Sequence, residues 1–121
     1  MELNSIILIL IAHYIGDFIF QTSWMAENKS DDARALIAHV GVYSVTLLVF
    51  ICLILNTTEP SKVLPYVVLN GSFHCLVDVI TSQFTKKLWN KKDYHNFFVV
   101  VGLDQLIHLI TLIGILKVIT G

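Results

Sequence analysis

Three pairs of residues in this sequence have the types and spacing for metal chemistry. His13 and Asp17, His74 and Asp78, and Asp104 and His108 are each four positions apart, so on a helix each pair stacks along one face. All six lie inside apolar runs, as does His39. Carboxylates packed together repel one another and must take up protons unless a cation sits among them. Neutral imidazoles supply nitrogen ligands at the same place. Mixed His and Asp ligation suits zinc, manganese or iron better than calcium or magnesium. The candidate ligands His13, Asp17, His39, His74, Asp78, Asp104 and His108 exceed one tetrahedral set, which favours two divalent transition-metal ions, with one ion as the fallback. Gln21, Asn70 and Gln105 share these runs and are candidates to orient ligands or a substrate by hydrogen bonds. Tyr43, four residues after His39, is another. Ordinary interhelical hydrogen bonds, for example between His13 and Asp104, are the competing account. His95 lies in a connection and reads as an interfacial histidine.

These side chains must be carried by four apolar stretches, at about residues 3–26, 34–55, 63–86 and 96–118. At 1.5 Å per residue, each is long enough to cross a hydrocarbon core of about 30 Å. The pattern predicts one all-α domain over residues 1–121, an integral membrane four-helix bundle running up-down-up-down. Ser30, Asp31 and Asp32 are natural N-caps for the second helix. Pro65 falls in the first turn of the third, where its missing N–H costs little. The first stretch begins with Glu2 rather than a basic region and carries polar residues, so it is not expected to be a cleaved signal peptide. Gly16, Gly41, Gly71 and Gly102, one per helix, are expected to let the backbones approach closely.

Helix direction then sets depth. His precedes Asp in the first and third helices, and Asp precedes His in the fourth, which runs the other way. Asp17, Asp78 and Asp104 therefore fall at roughly 12–14 Å from the boundary on the side of the first and third connections, and His13, His74 and His108 at roughly 18–20 Å. His39 comes in at roughly 8 Å, nearest the mouth, which makes it a candidate ligand or general base. Three aspartates at helix centres carry an insertion cost of about 8–10 kcal/mol in total, which a small bundle does not bear without compensation.

Lys29, Arg34, Lys86, Lys87, Lys91 and Lys92 flank that side, and only Lys62 and Lys117 flank the other. The excess places that side in the cytoplasm and both termini outside it. Trp24 and Trp89 lie near the same boundary, as interfacial tryptophans do. The basic residues signal topology; Lys86 to Lys92 around Trp89 also suit an anionic headgroup or substrate. Composition agrees with membrane burial. Hydrophobic residues make up 55% and charged residues 14%, against about 45–50% and about 25% in soluble domains, and mean hydropathy is +0.74. With 8 Lys and Arg against 9 Asp and Glu, a nucleic-acid partner is excluded. Cys52 and Cys75 lie in apolar runs, where they read as small hydrophobes.

The strings Ala12-His13-x3-Asp17-x3-Gln21-Thr22 with Trp24-Met25, Ala38-His39, His74-x3-Asp78 and Leu103-Asp104-Gln105-x2-His108 resemble the bacterial membrane family of the domain of unknown function numbered 3307. The resemblance covers nearly the whole chain and implies a small polytopic protein of the bacterial inner membrane. A more distant similarity is to membrane-bound metal-dependent hydrolases, which implies a metal-hydrolase activity without aligning residue by residue. On this reading the lipid bilayer is the first partner. The expected function is metal-dependent hydrolysis of a lipid-linked or membrane-embedded ester or phosphoester, with Asp17 and His39 as the catalytic residues. Two alternatives remain: transport of protons or divalent ions along a His/Asp relay, in an oligomer if need be, and a non-catalytic metal-stabilised scaffold.

Overall fold

The apolar stretches form helices in the computed structural model of the protein, which describes residues 2–121. Helix α1 (Leu3–Tyr14) continues into a π-helical turn over Ile15–Ile19, and a short α2 (Ser23–Asn28) follows. The long helices are α3 (Ala33–Ile54), α4 (Leu64–Asn90) and α5 (Tyr94–Thr120). Each is long and apolar enough to cross a membrane. The expected starts are observed. Asp32 is the N-cap of α3, its carboxylate accepting from the Arg34 backbone N–H at 2.9 Å, and the Arg34 side chain holds that carboxyl below the usual aspartate range. Pro65 sits in the first turn of α4.

The first stretch departs from the expected continuous helix over 3–26. Its apolar helix ends at Ile19, and Thr22 turns extended and caps α2 by accepting from the Met25 N–H. A hydroxyl that can bind its own backbone competes with helix continuation, and here it wins. The apolar helix Leu3–Ile19 is consequently about 25 Å long, a little shorter than a full crossing. At the other end, α4 runs on to Asn90 and the last connection shrinks to residues 91–93.

α1 packs on α3 and α5, α3 on α4, and α4 on α5, closing a ring. One end of the core holds Ile9 of α1 and Val67 of α4 with Ile51 of α3 and Leu116 of α5. Early residues of two helices thus meet late residues of the other two, so neighbours run antiparallel, as expected. The surface is inverted relative to a soluble bundle. Leu53, Leu76, Leu106 and Ile110 face outward while His39, His74, Asp78 and His108 are buried. Such an exterior suits lipid.

Two of the four glycines make the close approaches expected of them. A Cβ at Gly16 would lie 3.2 Å from the Tyr43 ring and 3.3 Å from its Cα, and one at Gly71 would lie 2.7 Å from Ser44 Oγ. Gly41 and Gly102 face open space. Each sits on the side of its helix turned away from the neighbours, so the expectation of one contact glycine per helix is corrected there.

Candidate metal centre

Six of the seven expected ligands converge into two buried groups that share one carboxylate. Asp17, His39, His74 and Asp78 form the first, and Asp78, Asp104 and His108 form the second. In the first, His39 Nε2 lies 2.9 Å from Asp17 Oδ1, 3.0 Å from Asp78 Oδ2 and 3.1 Å from His74 Nε2. His74 Nε2 is 3.4 Å from Asp17 Oδ1 and 3.3 Å from Asp78 Oδ2. A tetrahedron of ligands about 2.0–2.1 Å from a zinc-like ion has edges of about 3.3–3.4 Å, and these five separations span 2.9–3.4 Å. Asp78 turns its other oxygen to the second group. There His108 Nε2 lies 3.1 Å from Asp78 Oδ1 and 3.3 Å from Asp104 Oδ1.

The donor set fits a cation better than it fits hydrogen bonds alone. One nitrogen of each imidazole carries at most one proton, yet His39 Nε2 faces two carboxylate oxygens and a second nitrogen. In every tautomer, some of the four converging atoms set lone pair against lone pair or N–H against N–H. A divalent ion amid the four atoms satisfies them together.

Helix geometry explains how the residues arrive. Asn70, His74, Asp78, Thr81 or Ser82, and Thr85 follow one another at helical spacing along one face of α4. On α1, the π turn closes with Phe20 N–H donating to Ile15 O at 2.9 Å. Through this turn Asp17 keeps its place one turn below His13, its Oδ2 3.6 Å from His13 Nε2. Asp17 reaches α3 and α4, whereas His13 stays beside α5. Its Nε2 is 2.8 Å from Gln105 Oε1 and 3.6 Å from Asp17 Oδ2. The structure therefore leaves His13 outside both groups.

Gln105, expected to orient ligands or a substrate, also donates its amide to Asp17 Oδ2 at 3.3 Å and Asp104 Oδ2 at 3.0 Å. Tyr43 stacks on His74 with ring centroids 3.9 Å apart, and its hydroxyl has no partner. It positions a ring by packing, not by a hydrogen bond. Asn70 is buried a turn above His74, with its Oδ1 unpartnered. Gln21 sits at the rim, accepting from Lys29 Nζ at 3.2 Å.

Exposure does not follow the order of depth along the helices: His39, expected nearest the mouth, is wholly enclosed by its neighbours, while Asp104 keeps 13% of its side chain exposed. Asp104 lines a cavity of about 220 Å³ between α2, α4 and α5, together with Asp17, Gln21 and Lys29. Two contacts escaped the sequence reading. Lys29, counted only toward topology, places its ammonium 3.5 Å from Asp78 Oδ2. Thr81 donates to Asp104 Oδ1 at 2.6 Å; its place one turn after Asp78 was the signal.

Residues 5–121 match the family DUF3307, described as a protein of unknown function. The chain belongs to that family. No curated protein and no solved structure matches it. For this DUF3307 member, then, the site stands on its own geometry: a buried His/Asp centre in a helical, membrane-like bundle, with two groups able to hold metal.

Proposed function

We propose that this DUF3307 protein is a metal-dependent hydrolase of a lipid-linked or membrane-embedded ester, seated in a bacterial inner membrane with both termini outside the cytoplasm. The observation that carries the reading is the difference between the two groups. The first has four ligand atoms and is nearly closed, with only Asp17, 4% exposed, reaching the cavity wall. Asp78, Asp104 and His108 supply only three, beside a cavity that continues toward the basic boundary. Three protein ligands with a position left open is the arrangement of catalytic metal sites.

Asp78, Asp104 and His108 would hold the ion, which would supply an activated water and a Lewis acid for the ester oxygen. The chain's own residues do the rest. Asp78 joins the two groups, Thr81 and Gln105 hold the Asp104 carboxylate, and Asp17 reaches both the closed group and the cavity. His39 contributes from the buried side as a ligand. Zinc, manganese or iron suits this donor set. Transport is disfavoured by the other half of the bundle, where Ile9, Leu47, Ile51, Leu112 and Leu116 pack into an apolar plug that gives an ion no onward path.

The test is metal analysis joined to activity. Protein purified in detergent without added metal should hold two transition-metal ions per chain by mass spectrometry. It should hydrolyse a micellar ester or phosphoester, and chelation should abolish turnover. Asp104→Asn should keep one ion and lose activity. A wild type that remains metal-free after titration with zinc, manganese and iron refutes the proposal.

A further inference from the structure

The cavity beside Asp104 is the inner part of a longer funnel. A second cavity, of about 460 Å³, shares Lys29, Ser82, Thr85 and Phe97 with it and opens at Lys86 and Trp89. One atom in this funnel is unaccounted for. Ser82 is 8% exposed and lines both cavities, yet its buried hydroxyl has no hydrogen-bond partner. Burying a hydroxyl without a partner is costly, and a nearby alanine would fill the same volume. Lys29 is the second observation. Its ammonium has three donors, of which Gln21 and Asp78 take two. Its side chain remains 19% exposed, on the funnel wall.

We propose that the funnel is a phosphate-binding site in which the Ser82 hydroxyl and the Lys29 ammonium hold a phosphate monoester beside the metal centre. This rests on the metal-hydrolase reading, for a reason of charge. With the site empty, four carboxylates, Asp17, Asp78 and Asp104 at the centre and Glu27 on the funnel wall, outweigh Lys29 and repel an anion. Two divalent ions reverse the sign, and Lys29 adds to the positive field. Phosphate binding is therefore conditional on metal. The rim favours a ligand carried on a lipid. Trp89 and Phe97 pack with centroids 5.1 Å apart at the mouth, and aromatic residues of this kind sit at headgroup level. Lys86 at the same rim pairs with Asp31 of the α2–α3 connection, which holds the funnel wall together.

Binding of inorganic phosphate, and of phosphatidic acid against phosphatidylcholine in detergent micelles, is measured on metal-loaded and chelator-treated protein. The loaded wild type should bind phosphate and prefer phosphatidic acid, and the stripped protein should bind neither. Ser82→Ala should retain both ions and be no less stable when metal-free, since it deletes an unsatisfied hydroxyl, yet bind phosphate about tenfold more weakly. Lys29→Gln should weaken binding at least as much. A phosphatidic acid affinity above that for free phosphate assigns the ligand to lipid, and equal affinities assign it to a soluble phosphate monoester. Wild-type phosphate affinity in both variants, or equal binding with and without metal, overturns this site while leaving the metal centre intact. Failure to take up any metal removes the hydrolase reading and this site with it.

Discussion

Asp78 is the residue on which the dinuclear arrangement depends, and Asp78→Asn separates that arrangement from a hydrogen-bonded alternative. Its two oxygens face different groups: Oδ2 meets His39 and His74 at 3.0 and 3.3 Å, and Oδ1 meets His108 at 3.1 Å. The amide keeps the shape but removes the charge and turns an N–H toward one of the groups. Both ions should therefore be lost, where Asp17→Asn and Asp104→Asn should each lose one. A ligand present at a hundredfold excess over its Kd stabilises the folded state by about 2.7 kcal/mol. For a domain of this length 1 kcal/mol moves Tm by about 4 °C, so one site corresponds to about 10 °C and two to about 20 °C. The assay is thermal unfolding in detergent with and without chelator, alongside metal analysis by mass spectrometry. Chelation should lower the wild-type Tm by this order and leave Asp78→Asn unmoved. If the cluster is only hydrogen-bonded, removing a desolvated charge stabilises or does nothing. A wild type indifferent to chelator, with Asp78→Asn at least as stable, would refute the metal centre.

Gly16→Ala forces a Cβ against the backbone and ring of Tyr43 and should destabilise by about 1–3 kcal/mol. Gly102→Ala, pointing into open space, should be neutral or stabilising by up to about 1 kcal/mol; equal effects in thermal unfolding would show that the α1–α3 approach is not close. Thr81→Val removes the hydroxyl that fixes Asp104 and should weaken the second ion about 10- to 100-fold in competition titrations, with the first ion unaffected. Single cysteines at Ser61 and Asn90, both exposed at opposite ends of the bundle, should label from opposite sides of intact membranes, Asn90 from the cytoplasm, once Cys52 and Cys75 are replaced. Labelling from one side only would defeat the crossing pattern.

Much of the site could be read from one dimension because helices make spacing into geometry. Four-residue separations put His74 with Asp78 and Asp104 with His108 on single faces, and the reversed order on α5 matched their heights. The cost of burying aspartate in an apolar helix made those faces inward-pointing, and the apolar stretches left the remaining surface apolar, as suits lipid. Local chemistry also named the ends of helices, as at Asp32 and Pro65. What periodicity could not supply was any feature that breaks it. The π turn at Ile15–Ile19 carries Asp17 between His13 and His39, at 3.6 and 2.9 Å, and the Thr22 cap starts a separate α2, after which Lys29 meets Asp78. Both are choices between nearly equal local conformations, made by packing against α3, α4 and α5. Exposure within the bundle was likewise tertiary: His39 became the most enclosed ligand and Asp104 the exposed one, because exposure depends on which neighbouring helices cover a face. The sharing of Asp78 between two groups lies further still from the sequence, since it requires His39, His74 and His108, from three helices, to meet one carboxylate.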